Sequence, residues 1–168
     1  AIAPGRPVGR IVQTAGDVAA LRCESVESVH EHRREVVAGA DVWCVEILLV
    51  DGDESWLSST ATLLEHRRER FVVRTETDLA GATETYAETE PDCVVSDFQL
   101  PAGTGLDLLA EVRSRDPDRP FVLVTGQPRE TVPLDGTASL LTGFLHKRGI
   151  GGHDDLLARR IEAAVDDG

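Results

Sequence analysis

Five short apolar runs, each followed closely by a polar residue, constrain this chain more than any other feature. They are Ile47-Leu48-Leu49-Val50, Phe71-Val72-Val73, Cys93-Val94-Val95, Phe121-Val122-Leu123-Val124 and Phe144-Leu145. Continuous apolar composition over so few residues suits strands buried on both faces, as in a parallel sheet. Between and after them, residues recur at helical spacing: Trp56, Leu57, Thr60, Leu63 and Leu64; Leu79, Ala82, Thr83 and Tyr86; Leu106, Leu109 and Val112; Leu157, Ile161, Ala164 and Val165. Strands alternating with helices predict an α/β fold, a doubly wound five-stranded parallel sheet with helices on both faces.

Local signals sharpen this frame. Pro91-Asp92 bounds the third run on one side, and Pro101-Ala102-Gly103 breaks the strand beyond it. Thr104 with Asp107 three positions on then forms a capping-box pattern that starts a helix. Asp154-Asp155 is expected to cap the last helix. The segment from Pro128 to Leu141 occupies the place of a fourth helix but contains Pro128, Pro133 and Gly136. Proline removes a helical hydrogen bond and clashes with the preceding turn, so this element is predicted to be short or broken.

Residues 1–44 read differently. They carry five basic and six acidic side chains, and Val18, Leu21, Val26, Val29 and Val36 only approximate a helical stripe. The expectation is a weakly helical or disordered extension preceding a domain at 45–168. His30 and His32 within it read as solvated residues rather than metal ligands.

Composition excludes some classes of function. Thirty acidic against seventeen basic residues give a net charge of −13 over 168 residues, which disfavours direct binding to nucleic acid or to anionic membrane. Sixteen of the seventeen basic residues are arginine and Lys147 is the only lysine, a balance suited to solubility at high salt and hence to a salt-adapted source. Cysteines 23, 44 and 93 show no metal-type spacing and are expected to be reduced thiols, Cys93 as a small core residue. With no apolar run of membrane-spanning length and no signal-peptide core, the expected location is the cytoplasm.

Asp51, Asp97, Thr125 and Lys147 each stand at the end of an apolar run. A doubly wound sheet gathers such positions in one crevice, although 96 positions separate the first from the last. Clustered carboxylates resist joint ionisation unless a cation sits among them, and oxygen ligands suit Mg²⁺. One ammonium and one hydroxyl complete a set able to hold a phosphoryl group, with a carboxylate as nucleophile.

The order ILLVD, VVSDFQLPAGTGLDLL, VLVTG and GFLHK, with its intervals, resembles the receiver domain of response regulators in two-component signalling, of the single-domain, chemotaxis-regulator-like kind. The likeness covers about residues 45 to 165. It implies a flavodoxin-like fold of strand order 2-1-3-4-5, in which Asp97 accepts a phosphoryl group from a histidine kinase or phosphotransfer protein. The implied activity is that of a phosphoacceptor, not an enzyme acting on an external substrate, limited to self-phosphorylation and autodephosphorylation. Asp51, Asp97 and the main-chain carbonyl of Gln99 would hold Mg²⁺. Thr125 and Lys147 would contact the phosphoryl oxygens, and Phe144 matches the aromatic switch position. The switch would alter affinity for a downstream protein target through the face formed by the fourth helix, fifth strand and last helix. Homodimerisation is left open. With no output domain after Gly168, the chain reads as a single-domain regulator or a fragment.

Two departures from that pattern stand out. Gly52 occupies the place of a second acid after the first strand, with Asp53, one residue on, as a weaker candidate metal ligand. The fourth helix is the proline-broken one. Gly52 motivates an alternative, a phosphate-independent receiver acting as an interaction module. The Asp51-Gly52-Asp53 triplet also resembles the opening of haloacid-dehalogenase-like phosphatases, in which Asp51 would be the nucleophile and Asp53 the acid and base, with Thr125, Lys147 and Asp154-Asp155 as later motifs.

Overall fold

The computed structural model describes residues 44–148 and 155–167 with their side chains, together with the backbone of residue 149 and of four short strands nearer the amino terminus. The sheet strands are β1 (Val45–Val50), β2 (Phe71–Glu76), β3 (Cys93–Asp97), β4 (Phe121–Thr125) and β5 (Gly143–His146). The helices are α1 (Glu54–Arg67), α2 (Leu79–Thr89), α3 (Gly105–Arg115) and α4 (Leu156–Asp166). The order across the sheet is β2-β1-β3-β4-β5, with every neighbouring pair parallel. This is the predicted 2-1-3-4-5 arrangement.

Strand pleating divides the core. Ile47 and Leu49 of β1 face one side, where Leu57 and Leu64 of α1 and Leu157 and Ile161 of α4 cover them. Leu48 and Val50 face the other, against Ala82 and Tyr86 of α2 and Leu108, Leu109 and Val112 of α3. Each large aliphatic side chain buried this way contributes roughly 1.5–3 kcal/mol. The capping box at the start of α3 is present: Thr104 Oγ1 accepts from the Asp107 amide and the Asp107 carboxylate accepts from the Thr104 amide.

Four expectations need correction or refinement. Between β4 and β5 the chain makes only two single turns of 3₁₀ helix, Arg129–Thr131 and Ala138–Leu140, so the prolines prevent an α-helix there altogether. Asp155 occupies the N-cap position of α4 but caps no amide; its carboxylate goes instead to Arg68 at 2.6 Å, because a guanidinium offers the stronger, charge-assisted partner. Asp154 lies outside the described residues.

In the amino-terminal stretch the described backbone is extended, not helical. Arg10–Gln13 pairs antiparallel with Leu21–Glu24, and Glu35–Val37 with Ala40–Val42. Adjacent β-branched pairs, Ile11-Val12 and Val36-Val37, favour strand. Val18, Val26 and Val29 of the expected stripe, and His30 and His32, lie outside the described residues. Finally, Cys44 is disulfide-bonded, against the expectation of reduced thiols. It stands where the chain enters β1, whereas Cys93 is free and enclosed in β3, its thiol pushed up to about 12 by burial. No helix among the described residues is long and apolar enough to cross a membrane.

Candidate phosphoacceptor site

The carboxyl ends of β1, β3, β4 and β5 meet at one edge of the sheet. Asp51 follows β1, Asp97 and Thr125 are the last residues of β3 and β4, and Lys147 follows β5. The lysine joins the two acids: its Nζ lies 2.5 Å from Asp51 Oδ2 and 3.2 Å from Asp97 Oδ2. Asp51 is only 2% exposed. Its Oδ1 accepts from the Asp53 amide at 2.8 Å, while its buried Oδ2 makes no aligned hydrogen bond and has only the ammonium to balance it.

Charge accounting explains the titration of the pair. Burial pushes the Asp97 carboxyl above its ordinary value, outweighing the attraction of Lys147, and the neighbouring Asp51 charge pushes the same way. Burial alone would lower Lys147, but the close contact with Asp51 and the field of Asp97 overcome it and raise its value. One ammonium shared by two carboxylates holds its own proton firmly and leaves Asp97 raised.

Thr125 is 1% exposed; its hydroxyl accepts from the Gln127 amide at 3.1 Å, and the residue pairs in register with His146, one position before Lys147. Phe144 is half-buried against the cluster beneath α2 and α3, with the Arg129 guanidinium 5.3 Å above its ring. Gln99 begins a short hairpin in which Gln99–Leu100 pairs with Gly103–Thr104, and its amide is a minor influence favouring ionised Asp97. Asp53 caps α1: its Oδ1 accepts from Ser55 at 3.0 Å and Trp56 at 3.1 Å. A phosphatase with Asp53 as acid and base needs that carboxylate at the reacting group, and here it is committed to helix amides.

Two contributors escaped the sequence reading. Gly105 donates its amide to the Phe98 carbonyl at 2.7 Å, and a Cβ there would collide with the Asp97 carbonyl oxygen. Only glycine lets α3 start so close to the strand bearing the acid. Trp56, read from the sequence as part of an apolar helix face, has Lys147 Nζ 4.7 Å from its ring centroid. Position 56 follows Asp51 by five residues, a spacing that carries no local signal of contact with position 147.

The donor set fits a hard divalent cation in part. Asp51 Oδ2 is a buried, negatively charged atom lacking an aligned hydrogen bond, and the two acids with one ammonium leave a net negative charge. Among the described residues, however, no group of three or more His, Cys, Asp or Glu gathers at one point. Gly52, at the position where the receiver pattern has a second acid, supplies no carboxylate.

Comparison with known proteins agrees with this geometry. The family described as response regulator receiver domain matches residues 47–159. The photosynthetic apparatus regulatory protein RegA of Cereibacter sphaeroides is 36% identical over 80 residues, covering 48% of this chain and 42% of that protein. The DNA-binding transcriptional activator DevR/DosR of Mycobacterium tuberculosis is 27% identical over 132 residues, covering 72% and 61%. The chain therefore spans between two fifths and three fifths of these relatives. A solved two-component response regulator of the LuxR family from an Aurantimonas species superposes with a TM-score of 0.64 at 26% identity, covering 74% of this chain and 86% of that one. A receiver domain from Clostridium thermocellum, at 21% identity and a TM-score of 0.65 over 73% and 95%, shares the fold.

Proposed function

We propose, from the premise that this chain belongs to the response regulator receiver domain family, that Asp97 takes a phosphoryl group from the phosphohistidine of a histidine kinase or phosphotransfer protein. A carboxylate oxygen of Asp97 attacks phosphorus, the bond to the donor imidazole breaks, and the product is an acyl phosphate on Asp97. Asp51, Asp97 and the Gln99 main-chain carbonyl would hold Mg²⁺, which neutralises phosphoryl oxygens when bound. Asp53 is assigned to capping α1. Lys147 then exchanges its contact with Asp97 for a phosphoryl oxygen, and the Thr125 hydroxyl leaves the Gln127 amide to donate to another. Phe144 moves with Thr125, and the altered surface changes affinity for a downstream protein. Slow loss of phosphate by self-hydrolysis resets the domain. A cytoplasmic setting suits a kinase partner, and the acidic charge suits a protein target rather than nucleic acid bound directly by this domain.

The observation that supports this reading is the single ammonium shared by Asp51 and Asp97 at the sheet edge. The test is mass spectrometry after incubation with Mg²⁺ and acetyl phosphate, with the modified residue mapped. One labile phosphoryl adduct on Asp97, absent in Asp97→Asn, is the expected result; an adduct elsewhere, or one that survives the substitution, contradicts the assignment. Gly52 favours one second reading, a phosphate-independent docking module. In that case no donor labels the protein and Mg²⁺ leaves the tryptophan fluorescence unchanged.

A further inference from the structure

We propose that Trp56 is a positioning residue for Lys147: its indole face is the third wall of a socket whose other walls are Asp51 and Asp97, and it keeps the ammonium where an arriving phosphoryl group needs it. The inference rests on the reading of Asp97 as phosphoacceptor.

The socket is built from two ends. Asp53 binds the Trp56 amide at 3.1 Å and thereby fixes the first turn of α1. From there the half-buried indole packs against the cluster beneath α1 and α4, which holds the ring in place. Lys147 enters from the turn after β5 on a flexible four-carbon stem. That stem passes Gly126, where a Cβ would lie 4.0 Å from Lys147 Cδ, an ordinary contact.

An ammonium has three N–H donors and no acceptor. One N–H donates to Asp97 Oδ2 at 3.2 Å, Asp51 Oδ2 lies 2.5 Å away as an ion-pair partner on a second side, and the ring centroid lies 4.7 Å from Nζ. An aromatic face attracts a cation through its quadrupole yet forms no fixed hydrogen bond. The ring therefore keeps water from that side of Nζ without drawing the lysine off the carboxylates. It also permits the exchange the chemistry requires, since Nζ can trade Asp97 Oδ2 for a phosphoryl oxygen while staying on the ring. An aliphatic residue at this position would exclude water but supply no such attraction.

Lys147 is the only lysine in the chain, which makes the contact directly observable. Protein prepared with lysine labelled with carbon-13 at the ε position gives one ε-methylene signal. In the wild type that signal should be displaced upfield by the indole ring current. Trp56→Leu should abolish the displacement and slow acetyl phosphate labelling of Asp97 by about two- to thirtyfold, whereas Trp56→Phe should restore part of both. Thermal melts show whether each variant is folded; if Trp56→Leu is not, Trp56→Phe carries the test, with reduced displacement and an intermediate rate expected. Labelling at the wild-type rate in a folded Trp56→Leu, or an undisplaced wild-type signal, overturns the proposal. Absence of any adduct on Asp97 in the wild type defeats the phosphoacceptor reading itself, a distinct result, and removes the reaction this residue would serve.

Discussion

At Asp97 burial and a neighbouring acid oppose a lysine, and burial wins. The folded state therefore holds a proton on Asp97 more tightly than the unfolded chain does. Such a raised carboxyl costs no stability below the ordinary carboxylate range, and its destabilising effect develops as pH rises through the raised value. Asp97→Asn should then melt higher than the wild type at pH 7 with chelator present, and the difference should shrink toward zero near pH 4. A wild type that melts higher than the variant at neutral pH would place Lys147, not burial, in control. Gly52 offers a second residue-scale test. It is exposed, and a Cβ there would meet Pro101 Cδ at 3.3 Å, a contact that a small shift of the ring relieves. Gly52→Asp should tighten Mg²⁺ binding, measured by titration of Trp56 fluorescence in a Trp43→Phe background; unchanged or weaker affinity would count against Asp51 as a ligand. Asp51, Asp97, Thr125 and Lys147 were legible in the sequence because a strand end is a local pattern. The roles of Trp56 and Gly105 were not, because each depends on how closely two separate elements approach.

Elements were readable to the extent that their signals were local. The five strands and four helices appear where apolar periodicity placed them, and Thr104 with Asp107 announced α3. The small hairpin at Gln99–Leu100 and Gly103–Thr104 was missed because two-residue strands have no period to detect. Its turn includes Ala102 at φ 62°, and α2 ends on Glu90 at φ 45°. Both lie in the left-handed region, where a side chain is strained and glycine is not. Glu90→Gly should stabilise the protein by about 1 kcal/mol in urea unfolding; a loss of stability would show that contacts of the glutamate outweigh the relief of strain. The connection from β4 to β5 is held differently from the others. The Arg113 guanidinium on α3 donates to the carbonyl of Leu140 in this connection and to that of Arg119 just before β4, so one side chain ties the second turn to α3, while Val132 anchors the first part in the core. Amides of residues 129–141 should exchange with solvent well before those of β4, and equal protection by hydrogen-exchange mass spectrometry would show this connection to be as firm as the sheet.

Across the whole molecule, a net charge of −13 sets the electrostatic background. Arginine is used against it in a small network on the α1 and α4 side: Arg68 reaches Asp155 at 2.6 Å and Glu162 at 2.8 Å, and Arg70 reaches Glu162 and Asp166. These pairs are partly exposed, so each contributes little alone. General repulsion among the acids is screened as the Debye length falls from about 10 Å at 0.1 M salt to about 3 Å at 1 M. The melting temperature should therefore rise with added KCl, and a fall would mean that the pairs outweigh the repulsion. The acidic, arginine-rich balance was legible from composition, whereas the placement of these arginines required the fold. The helix-free passage from β4 to β5 has a mechanical corollary. A helix moves as a rod and can relay a small tilt over several turns, whereas here two single 3₁₀ turns are joined by a short link, and the second is tied to α3 at Leu140. Under the proposed phosphorylation of Asp97, a partner docking on this side would meet Phe144 and the turn at Leu140 where other connections of the sheet present the face of an α-helix.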